Sequence, residues 1–187
     1  MEDASLTQII EALLFSSNRA LTVKEISKVT GTEDRSLILN AINELNEFYD
    51  LNERAFFIQN IAGGFQLRTD IKFKSWIQKS KTVKPLQLST SLMETLSIIA
   101  YQQPITRAEI ESIRSVDSSY AVKSLLDKKL IRISGKKDLP GRPLIYATSS
   151  LFLEYFGIKN LKELPLLEDI DFLNDSDQVT PIEIVEE

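Results

Sequence analysis

The sequence predicts an α+β chain, mainly α-helical with small β-hairpins, that folds as two tandem winged helix-turn-helix domains. One unit occurs twice, because the segments that begin at Ser5 and Leu21 recur at Ser91 and Ile105, at offsets of 86 and 84 residues. In each copy the apolar spacing first follows the 3.6-residue period of a helix and then the two-residue period of a strand. Three short helices followed by a hairpin are typical of a winged helix.

The first predicted helix of each copy starts at a capping box. Ser5 is followed three residues later by Gln8, and Ser91 by Glu94, so the paired side chains can satisfy free amide groups at the helix start. The apolar residues of the first copy then recur every three to four positions: Leu6, Ile9, Ile10, Leu13 and Leu14. This spacing places them on one face, which we expect to pack on a core.

Two further helices are predicted in each copy. The second helix starts at a Thr-x-x-Glu capping box, formed by Thr22 with Glu25 and by Thr106 with Glu109. The third helix is longer in the first copy, where it is expected to extend to about Leu51. Apolar residues at matching positions give both third helices a face to bury.

A β-hairpin is predicted after each third helix. The alternating segments are 55–61 with 65–69 in the first copy and 130–134 with 143–148 in the second. Gly63 and Gly64 in the first turn allow the positive φ that a tight hairpin requires. Helical segments at 71–80 and 149–157 close the two copies.

The repeat also predicts the domain boundaries: an N-terminal winged helix at 1–80, a linker at 81–88, a C-terminal winged helix at 89–164 and an acidic tail at 165–187. The tail holds eight acidic and no basic residues, interleaved with apolar ones, and cannot build its own core. We expect a disordered, solvated tail. The alternative is a linear motif that orders on a basic partner.

The composition argues against catalysis. The chain has no Cys and no His, which removes the thiolate nucleophile, the imidazole base and the commonest zinc ligands. Neither a P-loop nor a dinucleotide-binding glycine motif occurs. We therefore expect no enzyme, no cofactor, and no catalytic or metal-binding residues. The acidic start, without the features of a signal peptide, predicts a cytoplasmic protein.

Charge separates the two copies as candidate nucleic-acid binders. The third-helix segment of the first copy carries five acidic residues against one Arg, which should repel a polyanion. In the second copy, residues 117–142 hold seven basic and three acidic residues, mostly in the wing. Lys136, Lys137 and Arg142 are candidates for a weak nucleic-acid contact, although solvated surface residues explain them as well. A DNA-binding transcriptional regulator is therefore the alternative function.

Large aromatic residues suggest that the first copy forms a homodimer. Its hairpin and closing helix are rich in them, and the candidate interface residues are Phe56, Phe57, Phe65, Phe73 and Trp76. A domain of this size often needs burial against a neighbour. The alternative is that all five fill the core of the domain.

Several motifs of the second copy closely resemble one bacterial family. They are the segments 94–114 (ETLSIIAYQQPITRAEIESIR), 140–143 (PGRP), 154–157 (EYFG) and 160–165 (NLKELP). The first copy resembles the same family more loosely, through 10–15 and the Gly63-Gly64-Phe65 turn. The chain is similar over residues 5–167 to bacterial segregation and condensation protein B. The tail has no counterpart in this resemblance.

The resemblance implies a non-enzymatic protein that acts in chromosome condensation and segregation. It implies a homodimer formed mainly through the first domain, which binds the kleisin ScpA and, through it, SMC, so that DNA is reached only indirectly or weakly. The candidate kleisin-binding residues are Tyr101, Gln102, Gln103, Arg107, Arg114 and Arg142. Arg114 and Arg142 are candidates for carboxylate pairs, either inside the domain or with the kleisin. No membrane and no small-molecule substrate are implied.

Overall fold

A computed structural model describes residues 4–80 and 87–166. These residues divide into two compact units, the first made of 4–80 with 157–160 and the second of 87–156 with 161–166. Helices and small antiparallel sheets build both, so the predicted α+β class is confirmed. Most of the predicted linker and nearly all of the acidic tail lie outside the described residues.

The first unit consists of three helices, an antiparallel hairpin and a short closing helix. The elements are α1 (Leu6–Phe15), α2 (Val23–Thr30), α3 (Arg35–Leu51), β1 (Phe56–Ile61), β2 (Gly64–Thr69), a 3₁₀ turn (Ile71–Phe73) and α4 (Lys74–Ser80). This is the order that the apolar periods predict, and α3 reaches Leu51 as expected. The capping boxes at Ser5 and Thr22 are both formed.

The core of the first unit lies between its three helices and the hairpin. The fully buried members are Ile10, Leu14, Ile26, Ile38, Ala41, Ile42, Leu45, Tyr49 and Ile58. The Tyr49 hydroxyl donates to Glu11 Oε1 at 2.8 Å, and burial followed by this bond raises the pKa of Tyr49. Asn46 links α3 to the hairpin, because its side chain bonds both the N–H and the C=O of Ile58, at 2.7 and 2.9 Å. Helices and hairpin thus share one core.

A third segment pairs with the hairpin of the first unit. Leu21, just before α2, exchanges two backbone hydrogen bonds with Phe65 on β2, at 2.9 and 2.8 Å. The neighbouring Gly64 is buried, and a Cβ atom there would lie 2.6 Å from the carbonyl oxygen of Leu21. Gly64 therefore permits a close backbone approach that a side chain would block.

The second unit repeats the pattern with one additional strand. Its elements are α5 (Thr90–Gln102), β3 (Ile105–Thr106), α6 (Arg107–Arg114), α7 (Ser119–Asp127), β4 (Ile131–Lys136), β5 (Leu144–Thr148), α8 (Ser150–Phe156) and a 3₁₀ turn (Leu161–Glu163). The strand order is β3-β5-β4. The predicted hairpin is present as β4 and β5, and the unpredicted strand β3 pairs with β5 at the position where Leu21 bridges the first hairpin.

The predicted start of α5 was also wrong. Ser89 is the N-cap and its hydroxyl accepts from the Leu92 amide, so the helix begins two residues before the predicted cap at Ser91. Ser91 and Glu94 were expected to form a capping box, and the structure uses both side chains in another way, described below. The predicted end of α5 is confirmed, because Gln103 has extended rather than helical backbone before Pro104.

Candidate functional site

Arg114 is the centre of a hydrogen-bond network inside the second unit. Its side chain is only 9% exposed. The guanidinium donates from Nη1 to Thr95 Oγ1 (3.0 Å) and Ser118 Oγ (3.4 Å), and from Nη2 to Ser91 Oγ (3.1 Å) and Glu94 Oε2 (2.9 Å). The internal carboxylate pair that was one of two alternatives for Arg114 is thus present, with Glu94 as its partner.

The network joins three helices at one point. Thr95 lies one turn beyond Ser91 on α5, Arg114 is the last residue of α6, and Ser118 is the N-cap of α7. The Ser118 amide donates to Glu111 Oε1 at 3.2 Å. A nearly buried guanidinium needs partners for its donors, and hydroxyls together with one carboxylate supply them here. Arg114 therefore fixes the packing of the helices.

Gln103 and Tyr101 also make contacts within the unit. Gln103 Oε1 accepts from the amide and the hydroxyl of Thr148 at 2.9 and 3.0 Å, and Gln103 Nε2 donates to Ala100 O at 2.9 Å. The end of α5 is thereby attached to β5. The half-buried Tyr101 donates its hydroxyl to Pro165 O at 2.8 Å, which fixes where the described chain leaves the unit.

Gln102 and Arg107 are both exposed. Arg107 donates from Nη1 to Ser119 Oγ at 3.0 Å, and its Nε lies 3.3 Å from Glu111 Oε1 across one turn of α6. An exposed i,i+4 ion pair of this kind contributes little to stability. Gln102 and Arg107 therefore stay accessible in the surface of the second unit.

One lysine of the basic wing is bonded to a helix of its own unit. Lys137 Nζ forms an ion pair with Glu109 Oε1, and the Lys137 amide donates to Pro143 O at 2.8 Å. The hydrogen bond from Lys137, followed by those from Thr106 in the capping box, lowers the pKa of Glu109 to about 2. Lys137 thus holds the wing against α6.

The other two candidate wing residues face solvent. Lys136 and Arg142 are exposed, and neither side chain makes a hydrogen bond or ion pair within residues 4–80 and 87–166. Arg142 follows Gly141 in the turn and has a φ of +41°, and its amide donates to Leu139 O at 2.8 Å. Among the three candidate wing residues, Lys137 is therefore bonded within the described part of the chain, whereas the side chains of Lys136 and Arg142 are not.

The five candidate interface residues of the first unit fall into two groups. Phe56 packs edge-on against Tyr49 with ring centroids 4.9 Å apart, and Phe65 also packs on the core. Phe57 is 41% exposed and Trp76 is 67% exposed. Phe73 is half-buried, with its ring centroid 6.3 Å from that of Trp76. Two of the five residues therefore fill the core, as the alternative interpretation expects, and two face solvent.

An open cleft of about 830 Å³ lies beside these exposed rings. Its walls come from the end of α3, β1 and the 3₁₀ turn at 71–73, and they include Phe57, Phe73, Arg54, Asp70 and Lys72. Three more large apolar residues of these elements or next to them are exposed: Phe48, Leu51 and Ile71. We call Phe48, Leu51, Phe57, Ile71 and Trp76 the apolar face of the first unit.

The acidic residues in and just before α3 lie at the surface, where they were expected to repel a polyanion. Glu33, Asp34, Glu44, Glu47 and Asp50 are all exposed. Asp34 is the N-cap of α3, and the bonds from the Ser36 hydroxyl and amide lower its pKa. A polyanion that approached α3 would therefore meet negative charge.

Among residues 4–80 and 87–166, no group of three or more Asp or Glu side chains is arranged to hold a metal ion. No helix in these same ranges is both long enough and apolar enough to cross a bilayer.

The fold and these surfaces define a small α+β protein built from two units of three helices and an antiparallel sheet. A model of the family described as segregation and condensation complex subunit ScpB matches residues 8–167. This chain belongs to that family. The resemblance found in the sequence motifs is thereby confirmed.

The similar proteins span most of the chain. Segregation and condensation protein B of Syntrophotalea carbinolica is 43% identical over 90% of this chain and 85% of that protein. The Myxococcus xanthus protein of the same name is 43% identical over 86% of this chain, which spans only 49% of that longer protein. A crystal structure of a conserved hypothetical protein from Chlorobium tepidum is 35% identical over 82% of this chain and 96% of that one, with a TM-score of 0.39.

Two features of these sites were not predicted from the sequence. The hydroxyl partners of Arg114 gave no motif, because Ser91 and Arg114 are 23 residues apart and meet only in the folded unit. Phe48 and Leu51 did give a signal, since they fall outside the stripe of buried positions 38, 41, 42, 45 and 49 along α3. Apolar residues outside the buried stripe of a helix indicate a second surface to cover.

Proposed function

We propose that the chain is a non-enzymatic subunit of the bacterial SMC–kleisin complex, which binds the kleisin ScpA as a homodimer in chromosome condensation and segregation. It acts in the cytoplasm at the nucleoid and reaches DNA mainly through SMC. Membership of the ScpB family supports the role in the segregation and condensation complex.

The apolar face of the first unit is the observation that carries the homodimer. Its five side chains are between 41% and 83% exposed on α3, β1, the 3₁₀ turn and α4, and Phe57 also lines the cleft. Several large apolar side chains exposed on one small unit are typical of a protein–protein interaction surface. A second copy can cover it symmetrically, because a two-fold interface buries the same patch on both chains.

For the kleisin contact, we assign different roles to the candidate residues. Tyr101, Gln102, Arg107 and Arg142 contact the kleisin, since each keeps at least part of its side chain in solvent. Arg114 and Gln103 act as positioning residues, because their polar atoms are bonded within the unit. Exposed Arg side chains suit a partner that carries carboxylates.

The dimer is tested by light scattering and by the fluorescence of Trp76, the single Trp of the chain. We expect a dimer whose Trp76 emission moves to longer wavelength on dilution, as the indole returns to water. The double variant Phe57→Ser, Trp76→Ser should be monomeric by light scattering. Phe15→Ser is the matched control, since Phe15 is 79% exposed in the same unit but lies on α1, outside the apolar face. A wild-type monomer at all concentrations contradicts the dimer.

The kleisin contact is tested by co-elution with ScpA from a sizing column at physiological salt. Arg107→Glu with Arg142→Glu should weaken co-elution and leave the dimer intact. Lys123→Glu with Lys128→Glu makes the same change of charge elsewhere in the unit and should have no effect.

The DNA-binding alternative makes the opposite prediction for the wing. A chain that ignores ScpA but shifts duplex DNA tightly would overturn the proposal. A regulator of this kind should lose its DNA shift when Lys136, Lys137 and Arg142 are changed to Glu, and its affinity should fall steeply with salt.

A further inference from the structure

The outer edge of the sheet in the second unit has no neighbour within the described residues. The strand order is β3-β5-β4, so β4 pairs with β5 on one side only. An unpaired edge offers a row of backbone N–H and C=O groups to another strand. Strand addition to such an edge is a common mode of peptide recognition.

The side chains along this edge alternate in a defined way. Arg132 lies opposite Ala147, whereas Ile133 and Lys136 lie opposite Tyr146 and Leu144, with a bulge after Ile133. Because neighbouring positions on β5 point to opposite faces, Arg132 is on one face of the sheet, and Ile133 and Lys136 share the other. A cation therefore stands at each end of the edge, with a half-exposed Ile133 between them.

The two cations have no partner inside the unit. Neither Arg132 nor Lys136 makes a hydrogen bond or ion pair within residues 4–80 and 87–166. Two such edges would repel one another, and the bulge further disfavours pairing between copies of β4. The strand that this edge accepts should carry acids at both ends and apolar side chains in its middle.

The chain itself contains that pattern. Residues 183–186 read Glu-Ile-Val-Glu, and Pro181, which lacks an amide hydrogen, stands just before them, where a strand tolerates proline. Ile and Val also favour strands. We propose that residues 183–186 of the tail add as a strand to the free edge of β4, with Glu183 and Glu186 paired to Arg132 and Lys136.

The pairing holds in either strand direction. With the strands parallel, Glu183 is opposite Arg132 and Glu186 is opposite Lys136. With the strands antiparallel, the two acids exchange partners. In both cases an apolar residue lies beside Ile133. Arg132 and Lys136 are four positions apart on β4, but the bulge makes them equivalent to three positions of a regular strand. Glu183 and Glu186 are also three positions apart, so each acid lies on the same face of the sheet as its partner.

The tail is long enough to reach the edge. The Tyr101 hydroxyl holds Pro165 at the end of α5, and about 16 residues separate Leu166 from Glu183. An extended chain of this length spans about 55 Å, more than the diameter of about 30 Å expected for a compact unit of this size. Closure of such a loop within one chain costs little more than closure of a shorter one. The docked tail would cover Lys136, one of the candidate nucleic-acid contacts.

Amide hydrogen exchange of the full-length protein tests the proposal. In the wild type, the amides of residues 132–136 that do not bond β5 should exchange about tenfold more slowly than in the double variant Glu183→Lys, Glu186→Lys. The control Asp175→Lys, Asp177→Lys changes the tail charge equally and should leave exchange unchanged. Equal exchange in the wild type and in the first variant overturns the proposal.

A charge swap separates pairing from general attraction. Arg132→Glu with Lys136→Glu should lose the protection, and its combination with Glu183→Lys and Glu186→Lys should restore it. Circular dichroism checks that each variant is folded. Failure of the swap to restore protection overturns the specific pairing. Protection that falls on dilution in the background of the double variant Phe57→Ser, Trp76→Ser assigns the edge to another chain and likewise overturns it.

Discussion

Arg114 determines how the helices of the second unit are arranged at their meeting point. Four side-chain oxygens from α5 and the start of α7 accept from one guanidinium that is 9% exposed. Lys could not replace it, since an ammonium carries three donors on one atom and cannot reach groups on both sides. The buried position of residue 114 therefore requires both the charge and the planar, forked shape of a guanidinium.

Replacement of Arg114 should strongly destabilise the second unit. We expect Arg114→Ala to lower the free energy of unfolding by about 2–3 kcal/mol, because buried hydroxyls lose their donor while the exposed Glu94 returns to water. Arg114→Lys should recover part of the loss. The control Arg142→Ala should stay within about 0.5 kcal/mol. Urea denaturation measures these differences, and equal effects of the two Ala variants would contradict the role of Arg114.

Ser115 occupies a position where the repeat has Gly in the first copy. Gly31 ends α2 with φ +70°, and Ser115 ends α6 with φ +57°. The left-handed conformation strains a residue with a Cβ atom. We expect Ser115→Gly to raise the free energy of unfolding by about 0.5–1 kcal/mol. This net gain already includes the loss caused by the greater backbone entropy that glycine gives the unfolded chain. Thermal denaturation checks this. The control Ser112→Gly, inside α6, should destabilise by about 0.5 kcal/mol.

At the scale of elements, each hairpin depends on a third segment that pairs with its second strand. Leu21 bridges Phe65 in the first unit, and β3 pairs with β5 in the second. A two-stranded hairpin alone is marginal in water. The additional pairing comes from the residue just before α2 or α6, so it attaches each sheet to the helices.

The close approach at Gly64 should make this position intolerant of any side chain. Gly64→Ala places a Cβ atom 2.6 Å from the Leu21 carbonyl oxygen, and we expect a loss of about 1–3 kcal/mol in unfolding free energy. Gly135→Ala in β4 is the matched control, since no heavy atom lies within 4 Å of its added Cβ atom. If both variants unfold alike in urea, the backbone contact is not limiting.

The Lys137–Glu109 pair gives the second unit a defined dependence on pH. The pKa of Glu109 falls from 4.5 to about 2 in the folded chain, so the folded state binds the proton less readily than the unfolded one. The stabilisation is therefore complete above about pH 4.5 and is lost as the pH falls towards 2. Glu109→Gln keeps the cap but loses the ion pair.

Melting temperatures from pH 7 to 2 test this pair. The difference between the wild type and Glu109→Gln should be largest at pH 7 and should vanish near pH 2. Glu33→Gln, which removes an exposed acid of the first unit, controls for the loss of one negative charge. A melting-temperature difference between the wild type and Glu109→Gln that is the same at every pH would contradict the stabilising role of the Lys137–Glu109 ion pair.

At the scale of the whole molecule, the two units divide the surface chemistry between them. The first has acids along its third helix and an apolar face beside a cleft, whereas the second has free cations on its sheet edge and wing. Such a division suits a protein that binds polypeptides through several surfaces.

If the first unit forms the homodimer, its unfolding should depend on concentration. Trp76 reports this unit alone, because it is the only Trp of the chain. We expect the melting temperature followed by Trp76 fluorescence to rise with protein concentration, since association stabilises the folded state by mass action. The single variant Phe57→Ser, which keeps Trp76 but should weaken the dimer, should show a smaller rise. Trp76 itself must be retained in this experiment. A wild-type melting temperature that is independent of concentration would contradict the dimer.

The elements of both units could be predicted from the sequence, because their signals are local. Capping residues at Ser5, Thr22 and Thr106, apolar periods and glycines act within a few positions of the chain, and the structure uses them as expected. The family could be predicted too, since its motifs are continuous segments. The acidic character of α3, fixed by composition, also holds in the structure, where those acids are exposed.

Only the tertiary structure decided which side chains remain free. Ser91 and Glu94 carry the pattern of a cap, yet they bind Arg114, because α5 starts two residues earlier and brings them to the end of α6. Likewise, Lys137 and Lys136 are equivalent in sequence, but only Lys137 lies within reach of Glu109. Local patterns determine where helices and strands form, whereas the partner of a polar group depends on distances between segments that are remote in the chain.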